Sequence, residues 1–268
     1  SDGRKIADAA ARSKSVLILG AGFIGMEVAA SLCQRGLEVH VAAPEKVPLQ
    51  GILGERIGGF LRRIHEEKGV HFHLGTTVGS LEGEPVVEEA VLSDGSRIAV
   101  NMVIAGLGID PVVDYLKGTG LVSDGGVPVD SQLTTQGEGI FAAGDIAIVP
   151  HWKTGEGIRV EHWIVAESQG RHAARSMMGR GSPYRDVPVF WTKQYDGSLK
   201  YAGYARKVDR IAYRGSVEEG NFTAGFYEDD ALKAVATLER IREVIYLSEL
   251  LKNGENIPFD QFEGFQLK

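Results

Sequence analysis

The chain has 268 residues, 43% of them hydrophobic and 24% charged, a composition that suits a soluble globular protein of two ordinary domains and excludes a disordered one. Its formal net charge of −7 is spread without a basic block, which argues against binding nucleic acid, because an acidic surface repels polyanions. No apolar run approaches the roughly 20 residues of a membrane span, no basic start leads into a long apolar stretch, and the single cysteine, Cys33, excludes an internal disulfide or a paired-thiol redox motif within this chain.

In chain order, residues 1–12 are polar and alanine-rich and read as a helix or linker entering a domain. The unbroken aliphatic run S-V-L-I-L at residues 15–19 is expected to be a buried strand, and G-A-G-F-I-G follows it at once. A helix is expected from there to a C-cap at Gly36, with Val28, Ala29, Leu32 and Cys33 on its apolar stripe, where Cys33 is a small buried hydrophobe. Residues 38–41 form the second strand. Ile57, Phe60, Leu61 and Ile64 then recur at helical spacing before Gly69 stops the helix, and residues 70–74 form the third strand. Short alternating strands follow around the turn S-D-G-S at residues 93–96, and an apolar strand at 102–105 closes the first domain near Gly108.

Residues 109–181 hold an expected strand at 140–143, a Gly-Asp turn and a helix over 161–178. The remainder, from Pro183, is strand-rich, with hairpin turns at Asp196-Gly197 and Asp229-Asp230 and a last helix over 242–251 capped by Gly254.

Gly20, Gly22 and Gly25 stand at dinucleotide-binding spacing between an expected strand and an expected helix, with Phe23 and Ile24 between the last two. The first glycine allows the tight turn, the second lets a pyrophosphate approach the backbone, and the third lets helix and strand pack closely. The helix N-terminus supplies N–H donors and positive dipole. A glycine turn of some other α/β fold is the alternative. The ribose ligand is expected at the end of the second strand, where the sequence reads V-A-A-P-E-K: Ala43 takes the commonest acidic position and Glu45 follows. Glu45 favours NADH, since a carboxylate accepts from ribose hydroxyls and repels a 2′-phosphate, while Lys46 leaves NADPH open. Glu27, in the first turn of the helix, is a candidate acceptor for the nicotinamide carboxamide; a solvated helix-start glutamate is the alternative. His71 and His73 alternate on a strand and share one face, but no further ligand set accompanies them, and a structural role is the better reading than a metal site.

The string G-I-F-A-A-G-D, ending in Gly144-Asp145, resembles the second flavin motif of flavoproteins with two dinucleotide-binding domains, whose aspartate bonds the ribityl chain of FAD. An ordinary strand-end turn is the alternative. R-V-E-H-W with Q-G-R-H-A-A-R, and V-F-W-T-K-Q-Y-D-G-S-L-K-Y-A-G after them, resemble the apoptosis-inducing-factor and oxygenase-coupled ferredoxin reductase group, as does P-E-K at residues 44–46. The resemblance implies that Glu161, His162 and Trp163 line the flavin and nicotinamide rings, that Trp191 packs near His162, and that Glu45 is the ribose ligand. Aromatic faces stack on flat rings and shield the hydride path from water. Without the family pattern, His162 and Trp163 read as a helix-start histidine and a core tryptophan.

The expected fold class is therefore α/β, divided into a linker over 1–12, a Rossmann-type NAD(P)H-binding domain over 13–108, the C-terminal segment of a second, FAD-binding domain over 109–182, and a C-terminal α+β reductase or dimerisation domain over 183–268. In the family an FAD-binding half precedes the NADH domain. No such unit occurs in this sequence, so the chain is expected to be a fragment of an FAD- and NADH-dependent oxidoreductase. Hydride passes from NADH to flavin, and electrons go on to a ferredoxin-like protein, a quinone or oxygen; a homodimer is compatible with the resemblance, and a cytoplasmic location with the lack of a targeting segment in this sequence. Two other functions stay open: a redox-sensing interaction protein like apoptosis-inducing factor, and a bare NADH-binding module.

Overall fold

The computed structural model describes residues 2–267, so Ser1 of the expected linker lies outside the described residues. Two compact units emerge. The first runs to Gly108 and takes in Thr192–Leu199 and Gly215–Phe222; the second comprises Ile109–Trp191, Lys200–Arg214 and the chain from Thr223 onward.

In the first unit, helix α1 (Asp2–Ala10) occupies the polar start. Strand β1 (Ser15–Leu19) is apolar from Val16 on because both of its faces are covered. Val16 and Ile18 pack with Met26, Ala29 and Leu32 of helix α2 (Phe23–Gln34), while Leu17, pointing the other way, joins a cluster with Leu92 and Ile98. Helix α2 ends as expected. Gly36 takes φ +84°, its N–H reaches Cys33 O at 2.9 Å and the Leu37 N–H reaches Leu32 O at 3.2 Å, a Schellman closure.

Strand β2 (Glu38–Ala43) leads to helix α3 (Gln50–Glu67) and then strand β3 (Val70–Leu74). A small antiparallel sheet of β4 (Val78–Glu82), β5 (Glu89–Leu92) and β6 (Arg97–Ala99) precedes β7 (Val103–Ala105). The order β3-β2-β1-β7, parallel throughout, makes a Rossmann-like sheet. One expectation for α3 shifts by a residue: Ile64 is only half-buried, and the fully buried position is His65. An imidazole tolerates that burial because Gln194 and Tyr195, of the same unit, take up its nitrogens.

In the second unit, β8 (Val127–Pro128), β9 (Ala147–Pro150) and β10 (Gly157–Ile158) form a three-stranded sheet. Val127, Leu133, Ala147 and Val149 pack with Ala173 of helix α4 (Trp163–Met177). The strand expected at residues 140–143 is corrected to a single bridge between Phe141 and Thr134; a strand needs a continuous ladder, and none runs along this segment among the described residues. The helix expected from residue 161 begins at Trp163, because His162 is extended and serves as its N-cap.

The C-terminal part of the chain is a five-stranded sheet of β11 (Val189–Gln194), β12 (Gly197–Gly203), β13 (Arg210–Ser216), β14 (Asn221–Glu228) and β15 (Ala231–Leu238), in the order β11-β12-β15-β14-β13. Asp229 and Asp230 both take positive φ, the geometry a two-residue hairpin demands. Helix α5 (Ile241–Asn253) buries Val244, Leu247, Leu250 and Leu251 among Tyr227, Phe262 and Phe265, and stops at Gly254. The fold class is α/β with an α+β C-terminal part. Among the described residues no helix is long and apolar enough to cross a membrane.

Candidate functional site

In the first unit the three glycines meet three different spatial demands. Gly20 takes φ +97°, and a Cβ there would stand 2.6 Å from Gly106 O. A Cβ on Gly25 would stand 2.1 Å from Gly20 O, so helix α2 can approach β1 only with glycine at that position. A Cβ on Gly22 would meet nothing within 4 Å, so this backbone faces open space at the N-cap of α2. No side chain caps that helix start, and a helix N-terminus presents N–H groups and a positive dipole that favour an anion. The turn is closed toward the protein at Gly20 and Gly25 and open at Gly22. Phe23 is half-buried and Ile24 exposed. Gly106, one residue past β7, belongs to this turn and escaped the sequence reading; its signal is the string A-G-L-G that ends at the expected Gly108.

Gly20 N–H donates to Ala42 O at 2.8 Å, which ties the turn to the end of β2. Glu45 and Lys46 follow that end and are both exposed. Their backbone is fixed: Glu45 O accepts from Gly75 N at 3.1 Å, and Lys46 N donates to Gln50 Oε1 at 3.0 Å. Ala43 is buried, so the exposed acid at this strand end is Glu45.

Glu27 is not a solvated helix-start residue. Its Oε1 accepts from the Thr192 hydroxyl at 2.6 Å and from Lys193 N at 3.3 Å, and all three residues belong to the first unit. Thr192 escaped the sequence reading because 165 residues separate it from Glu27 and no local pattern links them. Cys33 is half-buried and donates to Lys68 O. His71 and His73 do share a face, joined by His40: the His40 ring stacks 5.0 Å from His71, and its Nδ1 lies 3.1 Å from His73 Nε2. Among the described residues no group of three or more His, Cys, Asp or Glu side chains could hold a metal ion.

In the second unit, Gly144 N donates to Gln169 Oε1 at 2.8 Å, and Asp145 is exposed beyond it. Arg159 links Asp145 to the next expected residues, donating to Asp145 O at 3.3 Å and to Glu161 Oε1 at 2.6 Å. His162 Nδ1 accepts from Ile164 N at 3.3 Å, which makes Nε2 the protonated nitrogen of its neutral form. Trp163 is not a core residue: it is 61% exposed, and Trp191 is 42% exposed. The two indoles meet edge to face at 5.7 Å, and His162 lies 5.9 Å from each. Phe190, missed as an individual residue within V-F-W-T-K, closes the cluster 5.7 Å from His162 and stacks 4.9 Å from Tyr201. Two exposed indoles on a packed aromatic base form a platform for a flat ring.

Residues 2–170 match the family model described as pyridine nucleotide-disulphide oxidoreductase, and residues 189–266 match the reductase C-terminal model. The chain is 35% identical over 261 residues to apoptosis-inducing factor 3 of Homo sapiens, an alignment covering 96% of this chain and 43% of the human one. It is 33% identical over 258 residues to the ferredoxin–NAD(+) reductase component of the anthranilate 1,2-dioxygenase system of Burkholderia cepacia, covering 94% of this chain and 64% of the bacterial one. The crystal structure of a ferredoxin reductase from Rhodopseudomonas palustris superposes with a TM-score of 0.93 at 29% identity, over 99% of this chain and 66% of the other. The chain thus spans 43% to 64% of the length of these two curated relatives.

Proposed function

The chain belongs to the pyridine nucleotide-disulphide oxidoreductase family, and on that premise we propose that it serves an NADH-dependent flavoprotein oxidoreductase, binding NADH in its first unit and part of FAD in its second. The observation that carries the reading is the glycine turn, closed at Gly20 and Gly25 and open at Gly22. The electron acceptor best supported is a ferredoxin-like protein, the partner type in the Burkholderia relative's name; a quinone or oxygen is compatible with the same chemistry.

A flavin held by the second unit would supply hydride acceptance from nicotinamide C4 and onward transfer of the two electrons. No side chain has to act as a general base for that step, and the residues work by binding and orientation. The N–H groups at the start of α2 hold the pyrophosphate, and Glu45 accepts from the adenine ribose hydroxyls, which favours NADH over NADPH. The second oxygen of Glu27, Oε2, is the acceptor for the carboxamide, because both donors from Thr192 and Lys193 fall on Oε1. Asp145 accepts from the ribityl hydroxyls of FAD. Arg159 holds Glu161 through its guanidinium, and His162, the next residue, lines the rings with its Nδ1 occupied by Ile164 N. Trp163 and Trp191 cover the flat rings and keep water from the hydride path.

The test is NADH oxidation with ferricyanide as acceptor, run with and without added FAD. The expected result is turnover that requires FAD and that falls about 3- to 10-fold in Trp191→Ala, the range for losing one aromatic stack. Oxidation independent of FAD, or no NADH binding by the folded chain, would overturn the reading. A long-lived reduced complex without turnover would favour redox sensing.

A further inference from the structure

A chain of buried polar side chains runs from Glu27 into the interior of the first unit. Thr192 donates its hydroxyl to Glu27 Oε1 at 2.6 Å and accepts from Gln194 Nε2 at 3.2 Å. Gln194 Oε1 pairs at 2.9 Å with Nε2 of His65, and His65 Nδ1 lies 3.4 Å from the Tyr195 hydroxyl. Thr192, Gln194 and His65 are 2%, 6% and 0% exposed, so water does not substitute for any member. Burial lowers the His65 pKa and keeps the ring neutral, with one nitrogen donating and the other accepting.

The direction of every bond follows from the first. Glu27 is acceptor-only as a carboxylate, so the single Thr192 hydroxyl proton goes to it. Thr192 then has only lone pairs to offer Gln194, which must turn its NH2 toward the threonine and its carbonyl toward His65. His65 must therefore carry its proton on Nε2. Three donors in series point at one carboxylate, each polarising the next. The ring is locked from the other side by Tyr195, which takes φ +54° at the β11–β12 turn and meets His65 edge to face at 4.9 Å.

We propose that His65 is a positioning residue for nicotinamide binding: through Gln194 and Thr192 it fixes the rotamer of Glu27, so that Oε2 faces the carboxamide of the dinucleotide. The proposal rests on the reading that Glu27 meets the carboxamide. A merely structural histidine would affect every ligand of the first unit alike. A positioning one affects only ligands that carry nicotinamide.

The experiment therefore compares two probes, NADH and ADP-ribose, which share the adenosine and pyrophosphate and differ in the nicotinamide. Both are titrated calorimetrically into the wild-type chain, Glu27→Ala and His65→Phe. Glu27→Ala is expected to weaken NADH about 3- to 10-fold, the range for one lost hydrogen bond, and to leave ADP-ribose within about twofold. His65→Phe keeps an aromatic ring at the position, removes the Nε2–H, and is expected to show the same selective loss. If His65→Phe fails to fold by circular dichroism, Gln194→Met, which breaks the same chain one link closer to Glu27, is read in its place. A Glu27→Ala variant that binds NADH as tightly as wild type overturns the reading of Glu27 and the proposal with it. A selective loss in Glu27→Ala with none in His65→Phe, or with equal losses of both ligands, overturns the proposal alone.

Discussion

At Gly22 and Gly25 the same substitution has opposite consequences, and that contrast separates a ligand site from a packing constraint. Gly25→Ala drives a Cβ to 2.1 Å from Gly20 O, a backbone atom that cannot rotate away; thermal unfolding is expected to show a loss of at least about 1–3 kcal/mol. Gly22→Ala meets nothing within 4 Å and has φ −78°, which any residue adopts. It should stay within about 0.5 kcal/mol of wild type while weakening NADH about tenfold or more, or 1.4 kcal/mol. Unchanged NADH binding in Gly22→Ala would mean that the open space at the turn holds no pyrophosphate. Glu45 tests cofactor choice: Glu45→Gln is expected to lose about tenfold in NADH affinity while NADPH, freed from carboxylate repulsion, narrows the gap. An unaltered NADH-to-NADPH ratio would remove Glu45 from the site. Whereas the ligand roles of Glu27 and Glu45 remain proposals, the glycine turn was legible in the sequence because the spacing of Gly20, Gly22 and Gly25 is set by one strand–turn–helix unit. Thr192, Gln194 and His65 were not, since their partners lie 129 to 165 residues away.

At the scale of elements, β2 and β3 carry a face of three imidazoles whose pairing has a pH signature. Burial is the largest cause lowering the pKa of His40, opposed by the hydrogen bond it donates to Glu38, with His71 and His73 adding repulsion. Burial and His71 lower that of His73, and Asp94 opposes them. His65, on α3, is lowered by burial. A histidine with a depressed folded pKa binds fewer protons folded than unfolded, so stability is fully present above the unfolded value of 6.5 and declines as pH falls below it toward the folded values. Urea unfolding at pH 7.5 and 5.5 should show that decline, and His40→Asn should flatten it. A wild-type stability that rises on acidification in this window would contradict the burial of these rings. Elements with a single sequence-local cause, such as β1, α2 with its Gly36 closure and the Asp229-Asp230 turn, were read correctly. The segment at 140–143 was not, because an apolar run states that it will be buried and not that a strand will lie beside it.

At the scale of the molecule, each unit carries its own arrangement: a glycine turn open at Gly22 with a held carboxylate in one, and a cluster of exposed indoles with a salt-bridged acid nearby in sequence in the other. The platform was legible only through the family strings; from the residues alone Trp163 read as core, and its exposure is what a flat ligand ring would cover. In the proposed function NADH binding by the first unit underlies every other step, so calorimetric titration of the wild-type chain with NADH is the most direct measurement. One saturable site per chain, competed by ADP-ribose, is the expected result; no saturable heat from a folded chain would contradict the central claim.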